Sequence, residues 1–277
     1  MKARELGRGT VVVGDRVALA GDVSGAAGTL SRVVRVEPRA TVLRRSADDT
    51  DPVERVIVAN ADQLVIVCAL ADPPPRTRLI DRFLVAAYDA GVTPVLCLTK
   101  ADLAGPEAIL PRYEPLRLRT FVLGRPFPDH VLDGLASQLA GKVSVLVGHS
   151  GVGKSTLVNR LVPEAARAVG SVSPVTGRGR HTSSSVVALP LPGGGWIIDT
   201  PGLRSFGLGH LSPERVVRAF PDLAEGAEHC PPGCGHLEPD CALDDWVATA
   251  GGGPLTARLE SLRRLLRSRE GPDGDDR

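Results

Sequence analysis

The sequence predicts an α/β protein built on a parallel sheet, with a small β module before it and a helical metal-binding module after it. Three features carry that expectation. From Gln63 onward, apolar runs alternate with helical stretches. The run VSVLV opens into a glycine-rich turn and then a helix. Near the C-terminus, three cysteines and a histidine fall within twelve residues.

The first 56 residues read as short β segments, VVVGDRVAL, GTLSRVVRV and ATVLRR, separated by Gly and Asp turns. Beyond them, buried-strand runs are expected at 64–70, 93–99, 116–123 and 143–147, with helices at 78–90 and 129–139. Such alternation indicates parallel βαβ units with helices on both sheet faces. A hairpin at 186–191 and 196–199 follows, and after about residue 210 helices flank the Cys/His cluster. This divides the chain into 1–56, 57–210 and 211–277, ending in a short polar tail expected to be disordered.

Composition sets bounds on function. Hydrophobic residues make up 43% of the 277, enough for a real core, and the formal net charge is +1. The global balance therefore demands no polyanionic partner, and a nucleic-acid surface must come from local clustering. No run approaches about 18 apolar residues, and MKARELGRG lacks an apolar h-region. Neither a signal peptide nor a membrane span is expected, which points to a cytoplasmic chain whose thiols stay reduced. Cys68 and Cys97 lie in apolar runs and read as core.

The turn after 143–147 is Gly148-His149-Ser150-Gly151-Val152-Gly153-Lys154-Ser155-Thr156, a G-x-x-x-x-G-K-[ST] loop. Glycines let the backbone approach a polyphosphate and turn its N–H groups inward, and the following helix N-terminus adds positive potential. Lys154 is expected to reach the β- and γ-phosphate oxygens as a catalytic group, and the Ser155 hydroxyl to coordinate Mg²⁺. The strand WIID then ends in Asp199-Thr200-Pro201-Gly202. An acid there can serve Mg²⁺, and the Gly202 N–H can contact a γ-phosphate. Alone, D-T-P-G is also a good turn; beside the phosphate loop it reads as functional.

Thr99-Lys100-Ala101-Asp102 closes the strand at 93–99. A carboxylate at that place can accept the N1–H and N2–H of guanine together, a donor pair that adenine lacks. The Lys100 stem can lie against the base. An isolated T-K-A-D would read as a helix N-cap; the two phosphate motifs favour base recognition. The chain is thus read as binding GTP and GDP.

Cys230-Pro-Pro-Gly-Cys234-Gly-His236-Leu-Glu-Pro-Asp-Cys241 supplies three thiolates and one imidazole, the donor set of a closed structural zinc site. One Zn²⁺ per chain is expected, with no position left open for catalysis.

In ordinary GTPases the base motif follows the two phosphate motifs, whereas T-K-A-D precedes both. The order TKAD, GHSGVGKST, GRGRHTSSS, DTPG and then a Cys/His cluster resembles the ribosome small subunit-dependent GTPase family, RsgA or YjeQ, over about residues 10–265. The resemblance implies a circularly permuted GTPase domain, an N-terminal OB-fold, of which about three strands can be placed, and a C-terminal zinc module. It also implies GTP hydrolysis in late maturation of the 30S subunit, stimulated by that subunit, with contacts to 16S rRNA by a monomer. Gly179-Arg180-His181-Thr182 would be switch I, with Thr182 a second Mg²⁺ hydroxyl. His181 becomes a candidate for promoting the attacking water, because Leu203 replaces a water-orienting Gln. A residue backing guanine O6 should lie near 121–125 and stays unassigned.

The last helix places Leu255, Leu259, Leu262 and Leu266 on one face, with Arg258, Arg263, Arg264, Arg267 and Arg269 largely elsewhere. The expectation is a packed helix with a solvated basic face, and the resemblance turns that face, with Arg178 and Arg180, toward RNA. Two rivals remain: a metabolic P-loop ATPase or kinase, and a zinc RNA-binding scaffold without turnover.

Overall fold

The computed structural model describes residues 11–24, 26–164, 186–200, 206–237, 241–250 and 252–269. Its centre is a six-stranded sheet made of β5 (Gln63–Ala69), β6 (Thr93–Thr99), β7 (Arg119–Leu123), β8 (Lys142–Val147), β9 (Val187–Pro190) and β10 (Gly195–Asp199). The spatial order is β7-β6-β5-β8-β10-β9, with β9 the only antiparallel member. Pro190 lies on this edge strand, where a missing N–H costs no ladder bond.

Alternation in β5 explains the layers. Leu64, Ile66 and Cys68 face one cluster, while Val65, Val67 and Ala69 face the other, and all are buried. Helices α3 (Asp129–Leu139) and α4 (Lys154–Leu161) cover the second face through Leu135, Leu139, Leu157 and Leu161. On the first face, α1 (Thr77–Asp89) buries Ile80, Phe83, Leu84 and Ala87, which recur at helical spacing. A short α2 (Leu110–Tyr113) lies beyond it.

The expected strand at 116–123 is shorter. Glu114–Leu116 is a 3₁₀ turn carrying Pro115, and Arg117 is left-handed at φ 47°. That turn consumes the residues before Arg119. In the N-terminal part, the three foreseen segments hold β1 (Val17–Gly21), β2 (Ser31–Val36) and β3 (Val42–Arg45). A further strand, β4 (Arg55–Ala59), crosses the expected boundary at 56/57. Among the described residues these form two separate antiparallel pairs, β1–β2 and β3–β4. Leu43 and Val58 from the second pair enter the main core.

The C-terminal helices are α5 (Pro213–Arg218), α6 (Ala224–Ala227), α7 (Ala242–Ala250) and α8 (Gly253–Arg267). They pack on the α1 face, so Phe220, Leu243, Leu259 and Leu262 belong to the same cluster as Phe83. Here the solvated-face expectation for α8 needs correction. Arg258 is fully buried, donating to Asp81 of α1 at 3.0 Å and to Asp222 at 2.7 Å, with Phe220 under its guanidinium at 4.4 Å. Arg264 reaches Asp81 at 3.3 Å, and Arg263 pairs with Asp244 at 2.6 Å. The buried carboxylates of Asp81 and Asp222 draw Arg258 inward, and Asp244 holds Arg263 from a half-exposed position, pairings that helical periodicity cannot reveal. Arg267 is exposed. Arg178, Arg180 and the tail after 269 lie outside the described residues.

Candidate nucleotide site and metal centre

The parallel strands end together. Ala69 pairs with Thr99, Thr99 with Leu123, Ile66 with Val147, and Asp199 with Leu146, so the loops that follow them gather at one edge of the sheet. The phosphate-loop sequence leaves β8 at the centre of that edge. Gly148 has φ 152°, and a Cβ there would sit 2.3 Å from the Val67 carbonyl oxygen, so only glycine fits. Gly153, left-handed at φ 96°, caps α4, whose first turn carries Ser155 and Thr156. Unpaired N–H groups at such a helix start attract anions.

Lys154 is 8% exposed, and its Nζ donates to the carbonyls of Gly148 at 2.6 Å and His149 at 2.9 Å. The ammonium is thus folded over its own loop, onto the carbonyls of Gly148 and His149. Burial lowers the Lys154 pKa, while the charge of Asp199 opposes that shift. Conversely, burial raises the Asp199 pKa, and Lys154 opposes it. Asp199 Oδ1 is buried without a hydrogen-bond partner among the described residues. An orphaned carboxylate oxygen beside a hydroxyl-bearing loop is a donor set that fits a hard divalent cation. Thr200 anchors the end of β10 by donating to Leu146 O at 2.5 Å.

The T-K-A-D segment reaches the same edge. The buried Thr99 hydroxyl donates to Val152 O at 2.6 Å. Lys100 is left-handed at φ 59°, and its Nζ donates to the Asp72 carbonyl. Ala101 N donates to Leu123 O at 3.1 Å. Asp102 Oδ1 accepts the N–H of Arg125 at 2.8 Å, and the Arg125 guanidinium lies 3.5 Å from the Thr156 hydroxyl. Gly124 passes so close that a Cβ would be 3.1 Å from Asp102 N. His181, Thr182 and Gly202 lie outside the described residues, as do Gly179, Ser183 and Leu203.

The second site is the cysteine cluster. Cys230 Sγ lies 3.7 Å from Cys241 Sγ and 3.5 Å from His236 Nδ1; Cys234 and Cys241 lie 3.8 and 3.7 Å from the same nitrogen. All four donor atoms fall within 4.8 Å of one another. A tetrahedron with metal–sulfur bonds of about 2.3 Å has edges of about 3.8 Å, so this set can hold a metal ion as it stands. Arg263 braces the knuckle, donating from Nε to His236 O at 2.9 Å while its other nitrogens grip Asp244.

A profile of the RsgA GTPase family matches residues 36–209. The chain belongs to that family. Proteins named small ribosomal subunit biogenesis GTPase RsgA are similar to it. The one from Chromohalobacter salexigens is 40% identical over 92% of this chain and 74% of its own length. That of Pseudomonas aeruginosa (strain LESB58) is 42% identical over 76% of this chain, which spans 64% of that protein. Among solved structures, YjeQ from Thermotoga maritima superposes with TM-score 0.72 at 24% identity, covering 97% of this chain and 87% of its own. YloQ, described as a circularly permuted GTPase, gives TM-score 0.68 at 26% identity, covering 97% and 83%.

The sequence pointed to 121–125 without assigning a residue; Gly124 and Arg125, at the end of β7, lie against Asp102, and the glycine following an apolar run was the available signal. The contact of Thr99 with Val152 and the bracing by Arg263 left no signature in the sequence.

Proposed function

We propose that this chain is a GTP hydrolase acting in late maturation of the small ribosomal subunit, and that the subunit stimulates its turnover. One observation carries the nucleotide part: T-K-A-D, the phosphate loop and Asp199, separated along the chain, gather at one edge of the sheet, linked by Thr99–Val152 and Arg125–Thr156. In this reading Asp102 selects guanine against a loop formed by Gly124 and Arg125, with Thr99, Lys100 and Ala101 shaping the wall. The amides of Gly148–Thr156 and the Lys154 ammonium hold the phosphates. Lys154 is released from its two carbonyl acceptors as phosphate oxygens replace them. Ser155, Asp199 and Thr182 would hold Mg²⁺, which would supply charge neutralisation to the phosphates. Gly202 registers the γ-phosphate, and His181 orients water. A carboxylate reading the base edge argues against an ATP enzyme.

The three parts, 1–56, 57–210 and 211–277, act as an OB-like module, a circularly permuted GTPase domain and a zinc module, the last held by Cys230, Cys234, His236 and Cys241 around one structural Zn²⁺. The relatives' name supports the small ribosomal subunit as partner; 16S rRNA is the part of it that we propose the chain contacts. Among the described residues no helix is long and apolar enough to cross a membrane; we read the chain as a cytoplasmic monomer. The deciding experiment measures GTP hydrolysis with and without purified 30S subunits. Stimulation is expected; an unchanged rate removes the ribosomal assignment and leaves nucleotide binding standing.

A further inference from the structure

A carboxylate that reads a base can only accept, and guanine presents acceptors as well as donors. Asp102 can take the N1–H and N2–H, but it has nothing to give to O6 or N7. The other polar side chains of T-K-A-D are engaged elsewhere. Thr99 has one hydroxyl proton, which goes to Val152 O at 2.6 Å. The Lys100 ammonium is drawn to the Asp72 carbonyl. Where a bound base displaces water, O6 and N7 still need donors, and an acceptor stranded without one weakens binding.

Arg125 stands where such donors are needed. Its backbone is fixed to the base-reading segment. Thr99 pairs with Leu123 across β6 and β7, Ala101 N donates to Leu123 O at 3.1 Å, and Arg125 N donates to Asp102 Oδ1 at 2.8 Å. A Cβ on Gly124 would lie 3.1 Å from Asp102 N, so the end of β7 runs flush against this segment. From there the side chain extends to the first turn of α4, with Nη2 3.5 Å from the Thr156 hydroxyl. That distance is long for an N–H···O bond, and it is the guanidinium's only polar contact among the described residues. The side chain is exposed, no carboxylate among the described residues pairs with it, and α4 meets it with the positive end of its dipole. A cation thus lies between Asp102 and the phosphate loop with its donors largely unspent.

We infer that the Arg125 guanidinium forks onto O6 and N7 of the bound guanine and is a second specificity-determining residue beside Asp102. The inference rests on the GTPase reading above. Two edges of the purine lead away from the atoms that Asp102 reads. The edge through N2 meets a guanidinium with an N–H, donor against donor. The other offers two adjacent acceptors, which match the fork of an arginine. Adenine carries an amino group in place of O6, so the same arginine that receives guanine opposes adenine. Asp102 and Arg125 then discriminate by opposite means, one by accepting and the other by donating.

The test uses the full chain and 7-deaza-GDP, in which a C–H replaces N7 while O6 is kept. Competition against a fluorescent GDP gives both affinities for wild type and for Arg125→Met, which keeps the side-chain stem and the backbone N–H. Wild type should bind 7-deaza-GDP about tenfold more weakly than GDP. Arg125→Met should bind GDP about tenfold more weakly than wild type does, and the two nucleotides within about twofold of each other. Equal affinities in wild type overturn the inference, because N7 then meets no donor. So does an Arg125→Met protein that keeps the wild-type ratio, whether or not both affinities fall: the guanidinium then serves the phosphates or the fold. Should Arg125→Met fail to fold, Arg125→Ala is judged by the same ratio. Wild-type protein that binds ADP as tightly as GDP would instead sink the guanine reading, and this inference with it.

Discussion

The Thr99 hydroxyl lies 2.6 Å from the carbonyl oxygen of Val152 and donates to it, joining the base-reading strand to the middle of the phosphate loop. Both residues are buried, so nothing in solvent replaces the bond once it is removed. Thr99→Val keeps the shape and deletes the donor, a change that costs about 1–3 kcal/mol. We expect a lower unfolding midpoint and about tenfold weaker GDP binding, whereas Thr99→Ser stays near wild type. Equal GDP affinity in the Val and wild-type proteins would separate this contact from the site's function.

Base selection can be tested at Asp102 without disturbing the loop. Its Oδ1 accepts from Arg125 N at 2.8 Å, and the amide oxygen of Asp102→Asn can keep that bond. The new NH₂ then faces the base, where xanthine offers a carbonyl in place of the guanine amine. Competition binding with XDP and GDP should show the preference reversing by at least about tenfold, the scale of one well-made polar pair. A variant that still prefers GDP would mean that Asp102 reads something other than the base.

Much of this was legible in the sequence because it is local. The helix at 129–139 and the strand at 93–99 were foreseen to the residue, since their apolar spacing and turn residues are set by neighbours in the chain. The Cys/His cluster was legible for the same reason: all four residues fall in one knuckle, and their donor atoms lie within 4.8 Å of one another. Contacts between distant segments were not. β4 escaped because Arg55-Val56-Ile57-Val58 is short and its pairing with β3 is decided across a polar loop. Arg258 was assigned to solvent because helical periodicity separates apolar from polar residues and says nothing of a carboxylate 177 positions away.

The metal centre predicts its own loss. Cys241 is buried and lies against Cys230 and His236, so Cys241→Ser leaves three ligands in a space shaped for four. Purified wild-type protein should carry about one zinc per chain by atomic emission, and the variant far less. Amide exchange in α7 and α8 should accelerate with metal loss, because Arg263 ties His236 O to Asp244. Unchanged protection in metal-free protein would mean that packing alone holds these helices.

Two arginines of one helix should behave in opposite ways. Arg258 is fully buried between Asp81 and Asp222, and Arg267 is exposed. Replacing Arg258 by Met takes from the buried Asp222 its cation, while Asp81 keeps Arg264, Arg112 and the Ser261 hydroxyl, at a cost of about 3 kcal/mol. Adding Asp222→Asn to that variant removes one stranded charge and should recover part of the loss. Arg267→Met, by contrast, should change stability by less than about 0.5 kcal/mol. Denaturant unfolding of the three variants provides the comparison. Were Arg258→Met and Arg267→Met equally mild, α8 would carry a solvated basic face after all, and the buried bridge from Asp81 of α1 to the last helix would have no energetic weight.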